Sequence, residues 1–340
     1  MTKTPPASSA TGAVFIVLTL LGWSSVLLFL KYLTPYVDAW TANGWRYGLS
    51  ALLWLPLLVV GLRRGTLPDG LWRRAIVPAA FNCVGQVCFA WTPYYIGPGL
   101  AGFLLRVNII FATIGAFVLF VDERPLMRSP LFWGGLLLVV GGSVGTVLLG
   151  AAPIAGGTAI GVALGLAAGA FYGMYGVSVR YWMRGVPAMT SFAAISLYTA
   201  AGMIALMIPL GSRGGLGALE LSAYNWFILV LSALIGIALG HVFYYAAIAR
   251  LGVAVSAAVV QLAPFICGAA SVMIFGEVLT RKQWLCGVVM LIGAGILLWA
   301  EQVRHRPRMQ TALTTGPEAA GDPAATIDVG ETLAESRTAR

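Results

Sequence analysis

Four polar side chains lie inside long apolar stretches of this 340-residue chain, and they form two pairs of equal spacing. Gln86 recurs as His241 and Arg106 recurs as Gln261, each 155 residues later. Polar groups at such depth are expensive in hydrocarbon and collect where a membrane protein handles a polar solute. The planar donor fork of arginine suits a carboxylate or phosphate. Glutamine offers donors and an acceptor, and histidine titrates near neutral pH. The chemistry on offer is recognition of a small anionic molecule, with His241 as the candidate for proton coupling.

Arg106 sits about eight residues into its apolar stretch, or roughly 12 Å at 1.5 Å per residue. That depth makes snorkelling to the interface hard. Two accounts fit: an anchor for the acidic group of a substrate, or an arginine tied to backbone carbonyls or a buried carboxylate. Asp38, Asp122, Glu123, Glu277 and Glu301 all fall near the ends of apolar stretches, which keeps the anchor open. Arg46 is shallower and is expected to snorkel outward, with Asn43 on the same helical face. Asn82 and Gln86, four apart, form a polar stripe that either faces a solute or bonds a neighbouring helix. His241 is either a packing residue or a relay, and the carboxylates usual in a proton relay are missing. Among the aromatic residues, Phe89, Trp91, Tyr172, Tyr244 and Tyr245 also lie near these positions. Trp23, Phe103 and Tyr175 complete the expected substrate-binding set of Arg106, Gln261, Gln86, His241 and Asn82.

The elements that must position these residues are membrane spans. Hydrophobic residues make up 59% of the chain and charged residues 10%, too little polar surface for a soluble domain. A span needs roughly 20 apolar residues. Ten fit, over 12–34, 38–62, 72–92, 97–121, 130–150, 157–182, 187–210, 223–249, 252–276 and 281–300. The first is expected to be retained, because no small-residue cleavage pattern follows it. Cys83, Cys88, Cys267 and Cys286 lie in apolar stretches and suggest neither disulfides nor a metal site. The net charge of +9 comes from bases that flank the spans, not from a nucleic-acid surface. Arg63, Arg64, Arg73, Arg74, Arg124, Arg128, Arg180, Arg184 and Arg250 share one side, which places both termini in the cytoplasm.

The fold expected is an all-α integral membrane protein with ten transmembrane helices in two inverted five-helix repeats. Five is odd, so the second repeat enters from the opposite side, and solute sites in such arrangements lie near the midplane between repeats. The expected domains are a short cytoplasmic N-terminus (1–11), a first repeat (12–150), a second repeat (157–300) and a disordered cytoplasmic tail (301–340). Gly161, Gly165, Gly169 and Gly173 recur every fourth residue, as do Gly141 with Gly145 and Gly236 with Gly240. Such faces let helix backbones approach closely. Pro56 and Pro264 fall within spans, and Pro264 frees a carbonyl near Gln261.

The fourth stretch of each half has a recurring form. One runs from Gly97-Pro98-Gly99 to Asp122-Glu123, the other from Gly252-Val253-Ala254 to Glu277. With five plus five spans, the chain resembles the drug/metabolite transporter superfamily in its two-repeat, EamA-like branch, from about Thr11 to Ala300. The resemblance implies a bacterial inner-membrane exporter of amino acids, other metabolites or drugs, working by alternating access without a cofactor. The second repeat keeps the family-like Pro264, whereas the first has Arg106-Val107-Asn108 in its place, where substrate identity is expected to be set. A carboxylate-bearing metabolite in a lipid bilayer is the expected partner, with the oligomeric state open. The rivals are a channel-like facilitator, a drug-efflux carrier, a scaffold without transport and an intramembrane enzyme. The last lacks a nucleophile, carboxylate pair or metal cluster at matched depth.

Overall fold

The structure, a computed structural model, describes residues 9–150 and 156–314, with the backbone alone for Ser9, Asp122, Glu123, Leu126, Met127, Val253, Ala254 and 301–314. Ten of its helices are long and apolar enough to cross a bilayer. They are α1 (Ala10–Leu33), α2 (Ala39–Arg63), α3 (Leu71–Tyr95), α4 (Pro98–Leu119) and α5 (Pro130–Leu148). The second set is α6 (Gly156–Trp182), α7 (Ala188–Leu210), α8 (Ala223–Leu251), α9 (Val255–Phe275) and α10 (Arg281–Ala300). No end departs from its expected position by more than three residues. Hydrocarbon offers the backbone no partners, so each apolar run closes its hydrogen bonds along itself.

Three helices are interrupted, and the interruptions fall at the polar residues. The α-helix that begins α4 ends at Leu104, passes through a 3₁₀ turn at Leu105–Val107 and resumes at Asn108. Arg106 is the middle residue of that turn. In α9 the helix breaks at Gln261 and Leu262 and restarts at Ala263. Pro264 then occupies the first turn, where its missing N–H is harmless. In α8 a π-helical stretch, Leu234–Leu239, ends two residues before His241.

The helix pairs obey a two-fold relation. α2 packs on α7 and α4 on α9, each against its own repeat counterpart, while α1 packs on α8 and α3 on α6. α1 corresponds to α6 and α3 to α8, so the last two contacts exchange under the same operation. α5 meets α10, where Gln283 Nε2 donates to the carbonyl of Thr146 at 2.8 Å. A residue and its counterpart can touch only near the axis of such a symmetry.

Small residues bring the backbones together. On α6, a Cβ at Gly169 would lie 3.0 Å from the carbonyl oxygen of Leu105, and one at Gly173 2.4 Å from that of Asn108. The glycine face thus grips α4 on both sides of its break. On α5 half of the expected pair packs: Gly145 lies against the Cys286 side chain, whereas Gly141 faces open space and Gly142 meets the carbonyl of Cys286. Helical backbone continues from Arg281 to Thr314, past the point where the sequence suggested a disordered tail. Residues 315–340 and 1–8 lie outside the described residues.

Candidate functional site

Arg106 and Gln261 meet. Arg106 Nη1 donates to Gln261 Oε1 at 2.9 Å, so the two helix breaks join through their side chains. Arg106 Nε and the side-chain oxygen of Asn108 are buried with no hydrogen-bond partner among the described residues. No described carboxylate pairs with this guanidinium, and its one bonded partner is a neutral amide. That arrangement leaves most of the guanidinium's donors for something else.

His241 lies elsewhere. Its ring stacks on Phe192 with centroids 4.0 Å apart and meets the edge of Trp23 at 5.3 Å. Nδ1 lies 2.9 Å from the carbonyl oxygen of Ile237 and so carries the proton toward it. Ile237 belongs to the π stretch, whose i→i+5 pattern leaves carbonyls out of register with the following α-helix. Only Nε2 remains for a ligand or an incoming proton. The equal spacing of Gln86 and His241 is therefore not matched by a bond between them.

The other expected residues divide. Gln86 leaves its side-chain oxygen buried without a partner, while its backbone carbonyl accepts from Asn43 Nδ2 at 2.9 Å. Asn82 is committed to α7, where its Nδ2 donates to Thr199 Oγ1 at 3.0 Å. Tyr175 packs against the buried cluster that includes Tyr47 and Phe192. Phe103 is fully enclosed, edge-on to Phe265 at 5.3 Å and Trp284 at 5.8 Å, so it builds the α4–α9–α10 core.

Arg46 also departs from expectation. It does not snorkel: only 1% of it is exposed, and its one hydrogen bond runs from Nη1 to Asn43 Oδ1 at 3.2 Å. Its helix turns that face into the bundle.

The recurring ends of α4 and α9 explain each other. The carboxylate of Glu277, just past α9, accepts from the N–H of Gly99 at 2.7 Å and of Leu100 at 2.9 Å. Ser271 Oγ donates to it as well. These amides belong to the first turn of α4, whose N–H groups have no partners within their own helix. A Cβ at Gly97 would lie 2.2 Å from the Glu277 carboxyl carbon, so the glycines make room for the cap. The side chains of Asp122 and Glu123, expected counterparts of Glu277, lie outside the described residues.

Two segments of the chain, 10–148 and 159–299, match the model of one family, described as EamA-like transporters. The chain belongs to that family. Each segment of this EamA-like protein holds five of the ten membrane-length helices. A crystal structure titled only as that of a protein aligns with 87% of this chain and 99% of its own, at 18% identity and a TM-score of 0.56. That likeness supports the fold alone. No curated protein matches the sequence. As an EamA-like transporter the chain is a multi-pass membrane protein of the drug/metabolite superfamily that moves a small molecule across a bilayer.

Proposed function

We propose that the chain is a secondary carrier exporting a small carboxylate-bearing metabolite, such as an amino acid, from the bacterial cytoplasm. The observation behind this is Arg106, a guanidinium deep in a broken helix whose bonded partner is uncharged. An arginine near a helix centre costs about 3 kcal/mol on insertion scales. A neutral glutamine offsets little of that, whereas a bound carboxylate supplies a charge-assisted, bidentate partner. The helix breaks free backbone groups that line a polar site without facing lipid. Alternating access would rock the repeats about the axis on which Arg106 and Gln261 meet. The arginine bias of the loops supports an inner-membrane orientation with both termini in the cytoplasm.

The test is reconstitution. Arg106→Ala should abolish uptake into proteoliposomes while insertion and thermal stability persist, and unchanged uptake would remove the anchor. Counterflow of labelled against unlabelled solute separates a carrier from a channel-like facilitator.

A further inference from the structure

A second set of buried donors runs along α2. Arg46, Ser50 and Trp54 are spaced four apart and so share one face of the helix. They are 1%, 0% and 6% exposed. Among the described residues, Arg46 Nε, Ser50 Oγ and Trp54 Nε1 all lack hydrogen-bond partners, as does Ser196 Oγ on α7, itself 1% exposed. α2 and α7 pack with Gly44 against Met207 and Trp54 against Phe192, which brings Ser196 level with Ser50. Helical serines usually return their hydroxyl to a carbonyl of the preceding turn, as Ser24 does with Leu20 and Ser143 with Val139. Ser50 and Ser196 do not.

Two of these four groups, the guanidinium and the indole, can only donate, and the two hydroxyls can donate as well. No described carboxylate bonds to Arg46. The set is complementary to an oxygen-rich anion. Its depth matches the first site. Arg46 and Arg106 lie about seven and eight residues into helices that run in the same sense, hence roughly 10 and 12 Å from the same end. On α6, Gly169 and Gly173 pack around the α4 break.

We infer that Arg46, with Ser50, Trp54 and Ser196, forms a second oxyanion subsite, and that the transported solute is a dianion with one acidic group for each guanidinium. This extends the carboxylate reading of Arg106 and rests on it for the first group only. An arginine buried for packing and one buried for a ligand respond oppositely to an apolar isostere. Replacing an uncompensated buried charge by an apolar side chain of similar length leaves the empty protein as stable or more so, whereas loss of a structural bond weakens it.

The experiment follows thermal unfolding of the purified full chain in potassium acetate or succinate, with chloride making up equal ionic strength. Succinate should raise the wild-type midpoint by roughly 2 °C or more where acetate does not. Arg46→Met should unfold no earlier than wild type in chloride and should lose the gain from succinate. Arg46→Lys, which keeps the charge, should retain part of the gain. The inference is overturned if no anion moves the wild-type midpoint, if acetate equals succinate, or if Arg46→Met keeps the gain. It is also overturned if both Arg46 variants unfold earlier in chloride, or if neither can be purified folded, since either result makes the arginine structural. Arg106→Gln separates the two readings. A full succinate gain in that variant removes the Arg106 anchor and the two-guanidinium dianion with it, and leaves Arg46 as a single oxyanion site.

Discussion

Arg106 and Gln261 occupy equivalent places in the two repeats and hydrogen-bond to each other at 2.9 Å across 155 residues of chain. Duplication made the positions equivalent, and divergence made one a cation and the other a neutral acceptor. Had both stayed arginine, two like charges would face each other on the axis. Had one become a carboxylate, the site would be neutral and closed.

That contrast gives the first prediction. Gln261→Glu places a carboxylate within reach of the guanidinium and creates an ion pair in a poorly screened setting. Thermal stability should hold or rise, while uptake of a carboxylate solute falls at least about tenfold, the equivalent of roughly 1.4 kcal/mol. Uptake equal to wild type would show that the solute does not use Arg106.

Depth was legible in the sequence, and direction was not. A rise of 1.5 Å per residue fixes how far Arg46, Phe103 and Arg106 lie from a span end. Which way each points depends on the neighbouring helices. A helix that is apolar all round carries no stripe to reveal its buried face. Arg46 therefore looked like an interfacial residue and Phe103 like a cavity wall, and packing placed both otherwise. The equal spacings marked Arg106 and Gln261 as counterparts, but only the structure shows that they lie where counterparts can touch. The same spacing said nothing of His241, whose place depends on a π stretch that no residue type in Leu234–Leu239 announces.

The glycine face of α6 gives a stability prediction with an internal control. A Cβ at Gly173 would meet two backbone atoms of α4, the Asn108 oxygen at 2.4 Å and the Ala112 nitrogen at 2.8 Å. Backbone yields less readily than a side chain, so overpacking of about 1–3 kcal/mol should outweigh the better helix propensity of alanine. Gly176, on the same helix, has nothing within 4 Å of the place where a methyl group would sit. Gly173→Ala should lower the unfolding midpoint and Gly176→Ala should not, and equal midpoints would mean that α6 does not grip α4 here.

Asp38 supplies a pH dependence outside the spans. It caps α2 through Thr41 and reaches the N–H of Ser212 at 3.0 Å, in the segment after α7. Burial pushes its carboxyl up, but the Thr41 hydroxyl and N–H and the Ser212 N–H outweigh this and hold it below its ordinary value of 3.8. A carboxylate lowered on folding stabilises the fold fully above its unfolded value and loses that contribution as pH falls through the folded one. Asp38→Asn should thus cost about 1 kcal/mol near pH 6, in line with a weakened helix cap. The gap to wild type should narrow near pH 3. A gap independent of pH would mean that the charge is not what Asp38 contributes.

His241 can be tested without disturbing its packing. The ring is held face-on by Phe192, edge-on by Trp23 and at Nδ1 by the Ile237 carbonyl, which leaves Nε2 as the site for a proton. Phenylalanine keeps both ring contacts, worth about 0.5–1.5 kcal/mol for each aromatic pair, and removes the proton site. If export is coupled through this ring, His241→Phe proteoliposomes should exchange solute in counterflow at near wild-type rates. They should also fail to accumulate it when a pH gradient is imposed, because binding survives while the link to protons is cut. Accumulation that persists under the gradient would place proton coupling elsewhere and leave His241 as the residue that closes the π stretch.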